Sequence, residues 1–267
     1  MVDVGDIDVG ALRAERSARS GLLAEEALVR TTGSIREAVG AAYASGERPL
    51  VVGGDCPVML GALAAARDRY GGVGLLMIDG HEDGYPPHES LSGEAADSEL
   101  YLALGLPAAG LPAGLRELMP LLSPSQVRLL GPRDDATLAR DGVPSLRGTV
   151  PIHSDVEVIV RGPRDVARHA AELVGEAAPA WWLHVDLDVL STDAFAAVDY
   201  PQPGGLSWEH LASMTDAALA TPGCVGWSVA IYNPDLDPDG AGARLIVEYL
   251  AGMADRLRDV AIPEVTP

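Results

Sequence analysis

Cysteine is nearly absent. Cys56 and Cys224 are the two in 267 residues. No disulfide framework or paired-cysteine metal motif can be built from them, and a reduced, cytoplasmic setting is the default expectation. Positive charge is scarce as well: 19 Lys and Arg stand against 39 Asp and Glu, a formal net charge of −20 at pH 7. That balance argues against nucleic acid, whose affinity rests on Lys/Arg contacts to phosphate, and equally against an anionic membrane surface. It suits a cationic ligand, although a global charge locates no site. Aromatic residues make up 4% of the chain, so a core must come mostly from Ala, Leu and Val. No apolar run approaches the ~20 residues of a membrane span, and the first residues carry no basic-then-apolar leader pattern.

What is present points to an α/β chain. At this length one domain spanning residues 1–267 is expected, with a sizeable core. Short apolar runs near 49–53, 73–79, 126–131, 149–154, 181–189 and 224–231 read as strands. Helical stretches at 57–69, 133–141, 163–176, 207–220 and 241–258 alternate with them. Residues 94–105 read as a further helix. Residues 11–45 read as a helix broken near 31–33, with Ser34 capping a second helix and Glu37 in the reciprocal position. This alternation predicts a three-layer α/β/α fold with a mostly parallel central sheet covered on both faces. Ligands in such folds sit beyond the carboxyl ends of the strands.

Two strand exits carry the chemistry. Residues 75–85 read LLMIDGHEDGY, an apolar strand running out into Asp79, His81 and Asp83. If the backbone stays extended there, alternate side chains face one way and these three converge. Two carboxylates and an imidazole form a ligand set for a hard or borderline divalent cation. Residues 181–189 read WWLHVDLDV, with His184, Asp186 and Asp188 on one face. A buried strand does not carry two carboxylates on one side without compensation. A shared cation would offset the mutual repulsion of all four carboxylates. His184 reads as a core histidine or as a partner standing behind Asp186. A third stretch, 50–61, reads LVVGGDCPVMLG: a strand, a tight Gly53-Gly54 turn, and a helix whose first turn suits Pro57.

Together these stretches resemble the ureohydrolase (arginase/agmatinase) family, which has a Gly-Gly-Asp-His turn, an Asp-x-His-x-Asp run and an Asp-x-Asp run. PQPGGLSWEHL, residues 201–211, also looks like the family's Pro-Gly-Gly-Leu segment. The resemblance implies an arginase-like fold and a pair of manganese ions. It places Asp79 and Asp186 as bridges between the metals, His81 and Asp188 on one ion, and Asp83 on the other. The sixth family ligand is a histidine, and Cys56 stands in its place. The opening VDVGDIDVG is similar to a segment that in the family follows a first strand and loop, so either that strand is missing or the start lies upstream.

The departures from the family pattern bear on function. Cys56 either ligates as a thiolate, shifting one site towards zinc or iron, or fills a buried space and leaves that site weak. Residues 92–105 read SGEAADSELYLALG where the family has Ser-Gly-Asn-x-His-Gly. The family's proton-shuttling histidine is therefore Ala96, and Glu94 replaces an asparagine that meets a substrate carboxylate. Glu94 would repel a carboxylate and accept a cation. His88, in the neighbouring loop, is a surface histidine or a substitute shuttle. AIYNP, residues 230–234, puts Ile231 where the family's guanidinium-holding glutamate stands. Ser191-Thr192 replace the Asp-Pro that usually follows the second metal run.

The resemblance thus implies a metal-dependent hydrolase acting on a C–N bond of a guanidino, amidino or related cationic small molecule other than free arginine. Asp83 would accept a proton from the attacking water, with Glu94 and His88 as the further candidate catalytic residues. The alternatives are a catalytically silent metal-binding relative and a deacylase or amidase on the same fold. A small-molecule substrate and a homo-oligomer are expected, with no nucleic-acid or membrane partner.

Overall fold

The computed structural model describes residues 2–253 and 256. Six strands form one sheet: β1 (Leu50–Val52), β2 (Gly74–Ile78), β3 (Val127–Gly131), β4 (Ile152–Ser154), β5 (Trp181–Asp186) and β6 (Cys224–Ala230). Their order is β1-β6-β5-β2-β3-β4, and every neighbouring pair is parallel. From β2 the chain steps one way to β3 and β4; from β5 it steps the other way to β6. The strand order therefore reverses between β2 and β5. The crevice beyond the carboxyl ends of such a pair is where open α/β sheets bind ligands.

Alternation along the strands divides the core into two layers. Leu75 and Met77 of β2 and Trp182 of β5 pack with the helices Glu25–Ala44 and Val58–Tyr70. Leu76, Ile78, Trp181, Leu183 and Val185 pack on the other face, against the helices Pro163–Ala177, Trp208–Leu219 and Ala241–Met253. Every residue of β2 and β5 is buried, as a strand covered on both faces requires. The result is the expected three-layer α/β/α architecture, with all strands parallel. No helix among the described residues is long and apolar enough to cross a membrane.

Local expectations failed where distant contacts decided. The helix Glu25–Ala44 runs unbroken through residues 31–33, so Ser34 and Glu37 lie inside it and not at a cap. Burial of Thr32, Ile35, Val39 and Tyr43 on one face outweighs the ~1 kcal/mol propensity cost of Gly33. Residues 11–24 are not helical, because Arg16 lies against the loop that follows β2. Its guanidinium donates to the carbonyls of Gly21, Leu91, Pro87 and Ser90. The expected helix at 94–105 is a 3-10 turn, Ala95–Asp97, followed by the short helix Glu99–Ala103. An unforeseen helix, Asp155–Arg161, starts at a capping box between Ser154 and Glu157. Of the helix expected to reach 258, residues 254, 255, 257 and 258 lie outside the described residues.

Candidate metal centre

The site grows from the carboxyl ends of β2 and β5. Asp79 extends the β2 ladder by one residue, its N–H donating to the Leu130 carbonyl at 3.0 Å. With a two-residue alternation, Asp79 faces the same side as Met77, and His184 and Asp186 face the same side as Trp182. After Asp79 the backbone turns. The His81 N–H donates to Asp79 Oδ1 at 2.7 Å, and Asp83 has a φ of +45°. The extended path expected through Asp83 is therefore absent, yet the grouping survives. Asp79, His81 and Asp83 each place one donor atom within 4.8 Å of the others.

β5 delivers the second half. The strand ends at Asp186 and gives way to a 3-10 turn, Leu187–Val189, so Asp188 reaches the cluster by a turn and not by strand alternation. Asp186 Oδ1 accepts from the Asp188 N–H at 2.6 Å. The Gly80 N–H donates to Asp188 Oδ1 at 3.0 Å, and Asp188 Oδ2 stands 2.8 Å from His81 Nδ1. Gly80 is needed for this approach: a Cβ there would lie 2.7 Å from Asp188 Oδ1. Arg133 fixes the turn from outside, its guanidinium donating to the carbonyls of Asp188 and Leu190 at 2.8 and 3.2 Å. Asp79, Asp186 and Asp188 form a second group within 4.8 Å.

Cys56 enters from the turn after β1. It is fully buried, and its thiol donates to Asp186 Oδ2 at 2.8 Å. Cys56, Asp79 and His184 form a third group within 4.8 Å. The structure thus gathers Cys56, Asp79, His81, Asp83, Asp186 and Asp188 in one place, with Asp79 common to all three groups.

Electrostatics explains what such a cluster lacks. Burial, followed by the neighbouring carboxylates, pushes Asp79, Asp83 and Asp186 well above the usual carboxylate range. Burial also works against the Asp188 carboxylate, but His81 outweighs it and holds Asp188 below that range. Asp79 Oδ2 is buried without a hydrogen-bond partner. Buried like charges and an orphaned carboxylate oxygen are costly unless compensated. The orphaned oxygen and the mixed oxygen, nitrogen and sulfur donors therefore fit divalent cations.

Sequence reasoning missed Glu99. It is fully buried, and its carboxyl lies against that of Asp83 with a hydrogen bond between the two. The two carboxyls can coexist only by sharing a proton or facing a cation. The signal was its spacing: Glu99 shares a helix face with the buried Leu102 and Ala103 at i+3 and i+4.

The two other candidates lie apart from this group. Glu94 Oε2 accepts from the Tyr200 hydroxyl at 2.6 Å. It lines a cleft of about 250 Å³ with Gly54, Asp55, Asp199, Ile231 and Asn233. The cleft adjoins the Cys56 turn, where the Ile231 N–H donates to the Gly54 carbonyl at 3.0 Å. Burial, then the nearby Glu94, pushes Asp55 up to about 7. His88 lines a different groove with Arg16, Ser17 and Gly21, and its Nε2 is 3.0 Å from the Arg19 carbonyl oxygen. The structure does not bring it to the carboxylates.

The family model described as the arginase family matches residues 1–254. The chain belongs to the arginase family. An arginase of Staphylococcus aureus (strain MRSA252) is 30% identical over 138 residues, 49% of this chain and 43% of that protein. The match therefore spans less than half of that relative's length. Among solved structures, arginase from Bacillus caldovelox superposes with a TM-score of 0.80 at 24% identity, covering 94% of this chain and 83% of that one. Formimidoylglutamase from Bacillus subtilis subsp. subtilis str. 168 gives 0.71 at 16% identity, covering 89% and 68%. At these identities the likeness shows the arginase-type fold alone. Proteins named for different activities share that fold, so it selects no substrate.

Proposed function

We propose that this member of the arginase family is a hydrolase dependent on two divalent cations, cleaving a C–N bond of a cationic guanidino or amidino small molecule. The observation that carries the proposal is the convergence of six donor residues on Asp79 beside a cleft lined by Asp55, Glu94 and Asp199. Asp79, His81, Asp83, Asp186 and Asp188 would hold the cations, and their mostly oxygen donors suit manganese. Cations bound there would acidify a water and polarise the scissile group at neutral pH. Asp83, backed by Glu99, would take a proton at its carboxylate. Glu94, Asp55 and Asp199 would draw the positive end of the substrate into the cleft.

Ile231 sets the limit on the substrate. It lines the cleft with a positive φ of 67° and brings no charge to it. An apolar side chain at that point favours a substrate with a hydrocarbon segment beside its cationic group. The same side chain supports a second reading, a metal-binding relative with no catalysis. A panel of guanidino, amidino and N-acyl amine compounds, read by release of urea, ammonia or carboxylate, separates the readings. Turnover of a guanidino or amidino compound supports the proposal, turnover of N-acyl compounds alone supports a deacylase, and no turnover by metal-loaded protein contradicts hydrolysis.

Glu94→Gln should weaken binding of a cationic ligand by about 1 kcal/mol, because the contact is partly solvated. Competition titrations with the cation and with a neutral isostere measure this. Equal losses for both would show that Glu94 does not read charge.

A further inference from the structure

His184 has no assigned role, yet its placement is unusual. It is completely buried on β5, two residues before Asp186 on the same strand face. Its Nδ1 is 2.7 Å from the Ser228 hydroxyl, and that hydroxyl also accepts from the Trp182 indole N–H at 2.9 Å. The indole hydrogen occupies one face of the oxygen, so the Ser228 proton is free to point at Nδ1 or away from it. Nε2 has no partner. A core histidine held only for packing would leave this nitrogen desolvated and unsatisfied, which opposes folding. A buried imidazole with one nitrogen anchored and the other bare has the arrangement of a metal ligand oriented from behind.

The His184 ring has neighbours suited to that use. His184, Cys56 and Asp79 offer donor atoms within 4.8 Å of one another, and the Asp79 oxygen Oδ2 is likewise unpartnered. We propose that His184 is a direct metal ligand, and that with Cys56 and Asp79 it forms a sulfur–nitrogen–oxygen site selective for zinc-like cations. This site is chemically distinct from the oxygen-rich group at His81, Asp83 and Asp188. Thiolate with imidazole favours zinc over manganese, whereas carboxylates with one imidazole accept manganese. Asp186, 2.8 Å from Cys56 Sγ, is placed to be the fourth donor.

The inference rests on the carboxylate cluster being a metal centre, and its test separates the two claims. Wild-type protein stripped of metal takes up one equivalent of Zn2+, and X-ray absorption at the zinc edge reads its donors. One sulfur at about 2.3 Å and one imidazole nitrogen at about 2.0–2.1 Å are expected. In His184→Gln the imidazole contribution is lost and zinc affinity falls at least tenfold, while Mn2+ uptake at the His81 group persists. Ser228→Ala, which removes only the anchor, keeps the sulfur and imidazole donors with a smaller loss of affinity. Zinc bound by oxygen and nitrogen alone, or an imidazole signal that survives His184→Gln, overturns the assignment to His184 while leaving the metal centre intact. A wild-type protein that binds neither zinc nor manganese overturns both.

Discussion

Asp186→Asn should melt at a higher temperature than wild type when both are metal-free, and should gain almost nothing from a divalent cation that strongly stabilises wild type. The two effects have one cause. Without a cation, Asp186 is a fully buried acid facing Asp188 and Asp79, and burying like charges together opposes folding. Asparagine keeps the shape. Its oxygen can keep the Asp188 N–H that Asp186 Oδ1 accepts at 2.6 Å, while its NH2 takes the place of Oδ2, 2.8 Å from Cys56 Sγ, where the thiol turns its hydrogen away and accepts. Relief of about 1–3 kcal/mol is expected, worth roughly 2–4 °C per kcal/mol in a chain of this size. With cation at a thousand times its Kd, wild type gains about 4 kcal/mol, and the variant loses that gain with its ligand. Thermal melts with and without metal read both. A variant less stable than wild type without metal, and equally stabilised with it, would contradict the account.

The pH dependence has a definite sign. Asp79, Asp83 and Asp186 have folded pKa values raised above their unfolded ones, by burial first and by neighbouring carboxylates second. Between the unfolded and folded values the native state binds more protons, so stability falls as pH rises through that window. Asp188, held low by His81, acts in the opposite sense and is outnumbered. Metal-free protein should therefore be more stable near pH 5 than near pH 8, and saturating metal should reverse that order.

Gly226→Ala should cost about 3 kcal/mol or more. A Cβ at Gly226 would lie 2.0 Å from the Trp182 ring, a distance no packing adjustment absorbs. The indole would have to leave a fully buried position, forfeiting much of what a Trp→Ala change forfeits, about 3–5 kcal/mol. The damage would spread to the site, because the same indole holds Ser228 and Ser228 holds His184. Urea denaturation followed by tryptophan fluorescence measures the cost. Gly252→Ala is the control: that glycine is exposed in the helix Ala241–Met253 with nothing near its Cβ position, so alanine should stabilise by up to about 1 kcal/mol. A Gly226→Ala loss below about 1 kcal/mol would mean Trp182 does not pack as described.

Much of this was legible in the sequence where local pattern and burial agree. The apolar runs ending in Asp79 and Asp186 are strands because both faces are covered, and no polar face competes with that reading. The helix expected over 207–220 was legible for the same reason, and the Ser207 hydroxyl at its start accepts locally from the His210 N–H. Features decided by distant partners were not legible. Arg16 is non-helical because loop carbonyls 71 to 75 residues away recruit it. Asp83 and Asp188 reach the cluster through turns set by Asp79, Gly80 and Arg133, which no alternation rule describes. Glu99 lies within the stretch expected to be helical, and only the fold reveals that its carboxyl meets Asp83.

The most direct test of the central claim is the metal content of the purified protein. Stripped protein is equilibrated with Mn2+ and Zn2+ together, passed through a desalting column and submitted to elemental analysis. The account predicts close to two divalent ions per chain in wild type, falling below one in Asp79→Ala, whose carboxylate belongs to all three donor groups. Less than a tenth of an equivalent in wild type, or unchanged content in Asp79→Ala, would contradict it.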